Sequence, residues 1–137
     1  MPNSINNSMR NKMLDGGVRD AVNGGVLEIR SGSIPGSADS TASGTLLVSI
    51  PIPADGFGTP TDGSMSIGDE FSEDAETDGT AGWARLIGSD DSRIDFSVGG
   101  EGSGSDIIIT NNIEGVSDTE IVQGNPVTVT EGTINVA

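Results

Sequence analysis

Apolar and polar residues alternate with a period of two in short runs along this 137-residue chain, and breaks rich in glycine, serine and aspartate separate the runs. Residues 26–30 (Val-Leu-Glu-Ile-Arg) put Leu27 and Ile29 on one face and Val26, Glu28 and Arg30 on the other. Residues 45–50 form a second strand, closed by Pro51 and Pro53 at an edge or exit. Between them, 31–44 read as a Gly/Ser/Pro/Asp loop. The stretch 54–80 is weakly patterned, with a strand near 65–67 followed by an acidic run over 69–78. Further strands are expected at 80–87, 92–98, 106–110, 120–122 and 127–136, the last bent at Glu131-Gly132. Before the first strand, Ser8 is an N-cap type of residue, and Met9, Met13 and Leu14 fall on one side of a short helix. Asp15-Gly16-Gly17 interrupts this helix, 18–22 supply one more turn, and Asn23-Gly24-Gly25 ends it. The pattern predicts a mainly β protein: an antiparallel β-sandwich, jelly-roll-like, with a short N-terminal helix near 9–22. Residues 1–8 are read as a polar arm and 9–137 as one domain.

The hairpin at 80–98 can be set in register from side-chain type alone. With a three-residue loop at Ser89-Asp90-Asp91, Leu86 faces Ile94 and Ala84 faces Phe96 on one apolar face, while Arg85 meets Asp95 on the other. As a cross-strand contact, the Arg85–Asp95 ion pair is worth about 0.2–1 kcal/mol. A slip of one residue would set Arg85 against Ile94, so the pattern specifies the register. It also leaves Trp83 and Ile87 on the second face, where they need a cover: a loop, the N-terminal helix or another subunit.

Composition narrows the chemistry. Glycine contributes 21 residues, about twice its ordinary share of ~7%, which favours short strands and tight turns. Without cysteine or histidine there is no disulfide, thiolate nucleophile, Ser-His-Asp triad or imidazole zinc site. Lys12 is the sole lysine, so Gly100-Glu101-Gly102-Ser103-Gly104 is a turn and no phosphate-binding loop. The acids Asp74, Glu76 and Asp78 imitate the start of a calcium loop, but Arg85 stands where the bidentate acid belongs, so a solvated acidic loop is expected. Four aromatic residues (Phe57, Phe71, Trp83, Phe96) leave no stacking platform for a glycosidase. These features together predict no enzyme, no metal and no cofactor.

A net charge of −15 sets 21 acids against 6 bases. Such a surface repels nucleic-acid phosphates and anionic membranes, and no apolar run has the length of a membrane span. Residues 1–15 lack the apolar core of a signal peptide, so synthesis in a cytoplasm without export by that route is expected. Four of the six bases, Arg10, Lys12, Arg19 and Arg30, lie in the first thirty residues. The basic N-terminal segment is either a helix capping the sandwich or an arm that docks on an acidic partner. Arg10, Lys12 and Arg19, together with Trp83 and Ile87 of the second hairpin face, are the candidate partner-binding residues.

The run 13–35, followed by Gly-Thr-Leu-Leu at 44–47, Ala-Gly-Trp-Ala-Arg-Leu at 81–86, Asp-Phe-Ser-Val-Gly-Gly at 95–100 and Ser-Asp-Ile-Ile-Ile at 105–109, resembles a family of small tailed-bacteriophage and prophage proteins associated with virion structure. The resemblance spans roughly residues 9–136 and rests on helix-then-strand patterning and glycine positions; the acidic run at 69–78 is not part of it. It implies a head decoration (cement) protein on the outer surface of the major capsid protein shell, made in the bacterial cytoplasm and in contact with further copies of itself. It assigns no functional residues. The alternatives are a tail, baseplate or short fibre subunit, or a carbohydrate-binding or host-adhesion β-sandwich module.

Overall fold

In the computed structural model, residues 14–88 and 93–135 are described. The chain enters through a helical segment, α1, which winds as one π-turn over Leu14–Val18 and one α-turn over Arg19–Val22. The winding continues through Asp15-Gly16-Gly17, where the sequence predicts an interruption; the permissive backbone of glycine admits the wide π-turn there, at an entropic cost. The helix stops at Asn23, whose backbone is extended and whose N–H donates to the Arg19 carbonyl at 3.0 Å, and Gly24 then turns the chain in the left-handed region. The part of the expected helix before Leu14, and the expected hairpin loop at 89–91, lie outside the described residues.

Ten strands follow: β1 (Val26–Arg30), β2 (Leu46–Pro51), β3 (Ser64–Ser66), β4 (Phe71–Asp74), β5 (Gly79–Thr80), β6 (Trp83–Ile87), β7 (Arg93–Gly99), β8 (Ile107–Thr110), β9 (Glu120–Ile121) and β10 (Pro126–Asn135). The main sheet runs β2-β1-β6-β7-β8-β10-β3, with β4 also on β10, while β5 and β9 form a separate ribbon. Every pairing is antiparallel except β7–β8, where Val98 lies beside Ile107 and Gly99 beside Ile108 in parallel. The protein is therefore mainly β with one short N-terminal helix, as the alternation predicts, and its sheet is mixed and curled.

The curl is produced at two irregular points. In β2 the register against β1 slips between Ile29 and Arg30, so that Leu47 and Val48 are both buried in succession. The Leu47 carbonyl then accepts the N–H groups of Glu76 (2.8 Å) and Thr77 (3.3 Å), bringing the start of β2 onto the segment that follows β4. In β10 the slip falls between Val129 and Glu131, one residue before the bend expected from sequence. Its first half pairs with β4 and its second with β3. Gly132 at the bend has no room for a side chain that would not press on Ile107 and Ile67.

Inside the curl lies the core: Leu27, Ile29, Leu47, Ile50, Met65, Ala84, Leu86, Phe96, Ile107, Ile109, Val127 and Val129 are among its buried members. Removing such side chains from water at about 25 cal/mol per Å² is the dominant stabilising term. Two expectations need correction here. The strand drawn over 80–87 is broken: Thr80 belongs to the β5–β9 ribbon, and β6 starts at Trp83 after Gly82, whose N–H donates to the Arg30 carbonyl. The acidic run is not simply a loop. Its middle forms β4, where Phe71 is buried and Ser72, Glu73 and Asp74 are exposed, because one apolar anchor and pairing with β10 suffice to hold the strand.

Candidate interaction surface

Alternation along β6 sends Ala84 and Leu86 into the core and Trp83, Arg85 and Ile87 to the outer face of the sheet. The hairpin register is the one that sequence pattern specifies: Ala84 pairs with Phe96, Arg85 with Asp95 and Leu86 with Ile94. Strand β1 lies on the other side of β6 and adds Arg30 beside Trp83, Glu28 beside Arg85 and Val26 beside Ile87. Three cross-strand rows result. One joins Arg30, Trp83 and Ser97; the next joins Ser49, Glu28, Arg85 and Asp95; the third joins Pro51, Val26, Ile87 and Arg93.

The middle row carries the strongest polar contacts. Arg85 donates from Nε to Asp95 Oδ1 at 2.8 Å and from Nη2 to Asp95 Oδ2 at 3.0 Å, a bidentate fork. Its third arm, Nη1, donates at 2.7 Å to the carbonyl of Ser40. Its guanidinium carbon lies 5.2 Å from the centre of the Trp83 ring, within cation–π range. Hydrogen bonding to Asp95 raises the Arg85 pKa above its ordinary value; burial opposes this, and the charges of Asp95 and Glu28 reinforce it.

Ser40 belongs to the connection between β1 and β2, residues 31–45, which folds back over this face. On the same face Trp83 is fully buried, and the Arg85 and Asp95 side chains are only 3% and 8% exposed. Trp83 is thereby corrected as an exposed docking residue, since its side chain is closed off within the chain itself; the connection 31–45, a loop like the first of the covers named above, reaches this face through Ser40. The energetic expectation for Arg85–Asp95 changes with it, since the pair is not an exposed one. Among the described residues Trp83 Nε1 finds no protein acceptor despite its burial.

The other candidate residues fall elsewhere. Ile87 is half-buried in the third row, between Val26 and Arg93. Arg19 donates from Nε to the Phe57 carbonyl at 3.2 Å, and Asn23 brackets the same residue, donating from Nδ2 to its carbonyl (3.2 Å) and accepting its N–H at Oδ1 (2.8 Å). Val22 is buried in the core and Val18 packs against it, so the described helix caps one end of the β body. Arg10 and Lys12 lie outside the described residues. The structure thus brings Trp83 and Ile87 onto one face and places Arg19 at a different one.

In the acidic stretch, Asp78 Oδ1 accepts the Gln123 N–H at 2.7 Å, a turn contact that ties the β5–β9 ribbon. Among the described residues no group of three or more carboxylates is disposed to hold a metal ion, and no helix is long and apolar enough to cross a membrane. Sequence reasoning missed Ser40 as the partner of Arg85. Its carbonyl carries no residue-type signal; the only hint is that the Trp83–Arg85 face required a cover. No family model, curated protein or solved structure matches the chain.

Proposed function

We propose that this protein is a non-enzymatic structural component of a tailed-bacteriophage virion, a decoration protein that binds the outer surface of the major capsid protein shell and reinforces it. The observation that carries the reading is the distribution of positive charge. Arg85 is bound to Asp95, Arg30 to Glu28 at 3.2 Å, and Arg19 to a backbone carbonyl, whereas Arg10 and Lys12 precede the described body. A β body with so large an excess of carboxylates does not bind packaged DNA, which requires Lys and Arg to displace counterions. It suits the outside of a shell, with its leading basic segment supplying a contact of the opposite sign. The resemblance over residues 9–136 favours the same role, and the absence of histidine, cysteine and tyrosine from the chain leaves little catalytic equipment.

The test is reconstitution. Full-length protein added to purified capsids that lack it should bind at saturating, symmetry-related occupancy and raise the temperature at which the shells open. Deleting residues 1–14 should abolish incorporation while circular dichroism still reports a folded β body. Full occupancy by the truncated protein would show that the leading segment is no docking element. Labelling of tails in place of heads would move the protein to the tail or baseplate, and the decoration role would be wrong.

A further inference from the structure

We infer that residues 31–45 form a latched strap that opens and closes over Trp83 as a unit, giving the outer face of β1, β6 and β7 a covered and an uncovered state. The strap has a defined neck: the Ser31 N–H donates to the Thr45 carbonyl at 3.1 Å, and the Thr45 N–H donates to Ser31 Oγ at 3.0 Å. Gly32 and Gly44 flank that neck in the left-handed region, at φ of 88° and 75°, and a side chain on Gly44 would collide with the Ser31 carbonyl. Beyond the neck the strap is held by its own contacts. Ser43 Oγ donates to the Ser33 carbonyl at 3.0 Å, and the Ser40 N–H donates to the Ser37 carbonyl at 3.1 Å. A segment with joined ends and internal hydrogen bonds is an Ω-loop, which can move without unravelling.

Movement of the strap would leave the interior intact. No residue of 31–45 belongs to the buried core, whereas Ile29 before it and Leu47 after it both do. The strap's body is latched to the sheet by the hydrogen bond from Arg85 Nη1 to the Ser40 carbonyl. Arg85 does not need the strap for its fork with Asp95, because the two residues face each other on adjacent strands.

The covered state is balanced. Burial of the indole and the latch favour it, while ordering fifteen residues and leaving Trp83 Nε1 without an acceptor oppose it. In the uncovered state the indole N–H meets water. Opposed terms of this kind make a two-state element whose minor state is populated, and local openings of this sort occur below the free energy of global unfolding. The strap's behaviour does not depend on what the protein binds.

Trp83 is the sole tryptophan, so its indole N–H gives one resonance and its emission reports one site. In the full chain, hydrogen exchange at that N–H should run about 100-fold or more faster than at the backbone amides of Ala84 and Leu86 on the same strand, since strap opening exposes the first and spares the others. Gly82→Ala supplies a second reading. Its backbone is not in the left-handed region, but its new methyl group would collide with the Gly32 carbonyl at the root of the strap. This variant should speed indole exchange further, shift Trp83 emission to the red and increase quenching by acrylamide, with β6 amides still protected. Indole exchange no faster than that of the β6 amides in the wild-type chain would overturn the proposal. So would a folded Gly82→Ala protein whose Trp83 emission and quenching are unchanged. Should that variant fail to fold, the wild-type exchange rates decide alone.

Discussion

On the outer face of β1 and β6 two arginine–carboxylate pairs stand side by side. Arg30 reaches Glu28 two residues away along β1, at 3.2 Å, with both side chains 18% exposed. Arg85 reaches Asp95 across the hairpin, at 2.8 Å, with both side chains nearly closed off from water. The residue types match, the strands are neighbours, and the distances differ by a few tenths of an ångström. The difference lies in the surroundings: Arg85 is buried and also donates to the Ser40 carbonyl, which the connection 31–45 brings onto it. A partly exposed pair contributes about 0–1 kcal/mol. A buried pair is governed by desolvation, so losing one partner strands a charge and costs about 3–5 kcal/mol, even though the intact pair adds little over an apolar equivalent. The energetic weight of an ion pair here is set by what lies above it more than by its own geometry.

The contrast is broken most directly by removing one member of the covered pair. Asp95→Ala should destabilise the protein by about 3–5 kcal/mol in urea denaturation, because Arg85 stays buried and loses the carboxylate that its fork binds. The double replacement Arg85→Met with Asp95→Leu should recover most of that loss, ending within about 1 kcal/mol of wild type, since no stranded charge remains. Were the double variant as unstable as Asp95→Ala, packing of the fork and not its charge would be the dominant contribution. Trp83→Phe should cost less than about 1 kcal/mol, well below the ~3–5 kcal/mol of truncating a buried aromatic, because losing volume is offset by removing an N–H that has no acceptor. A large cost would mean that the indole N–H has a partner, water included.

At the small end, Glu28→Gln should cost at most about 0.5 kcal/mol and its effect should fade in high salt, whereas that of Asp95→Ala should persist. The Arg85 pKa is raised in the folded state, so its contribution is complete below the unfolded arginine value and is lost only as pH rises through the folded one. Trp83 emission should therefore hold steady from neutrality to about pH 10, a range far below any arginine titration.

Much of this architecture is legible in short-range pattern. The alternation at 26–30 and 83–87 places Leu27, Ile29, Ala84 and Leu86 inside, and the side-chain sequence of the hairpin sets Arg85 opposite Asp95. β4 is hard to read because Phe71 is its one buried side chain in a run of acids; its partner, the first half of β10, is more than fifty residues away in sequence. The parallel contact of β7 with β8 carries no compositional signal, since the same Ile-rich run would serve an antiparallel pair equally well.

By itself the sequence determined which face the residues of β1 and β6 take, because the period of an unbroken strand is local and needs no knowledge of neighbours. It also determined the hairpin register, where one slip would bury Arg85 against Ile94, and the excess of acid over base that governs what the surface can approach. Only the tertiary structure decided what covers each face. Two bulges, one dropping Leu47 into the core and one bending β10, curl the sheet until β2 meets the segment after β4. A backbone carbonyl at Ser40, identical in kind to every other carbonyl in the chain, binds the arm of Arg85 that Asp95 leaves over, in the part of the second face that is closed to water. Burial is a property of separations in space, and alternation along a chain specifies orientation without specifying what arrives from elsewhere to close over it.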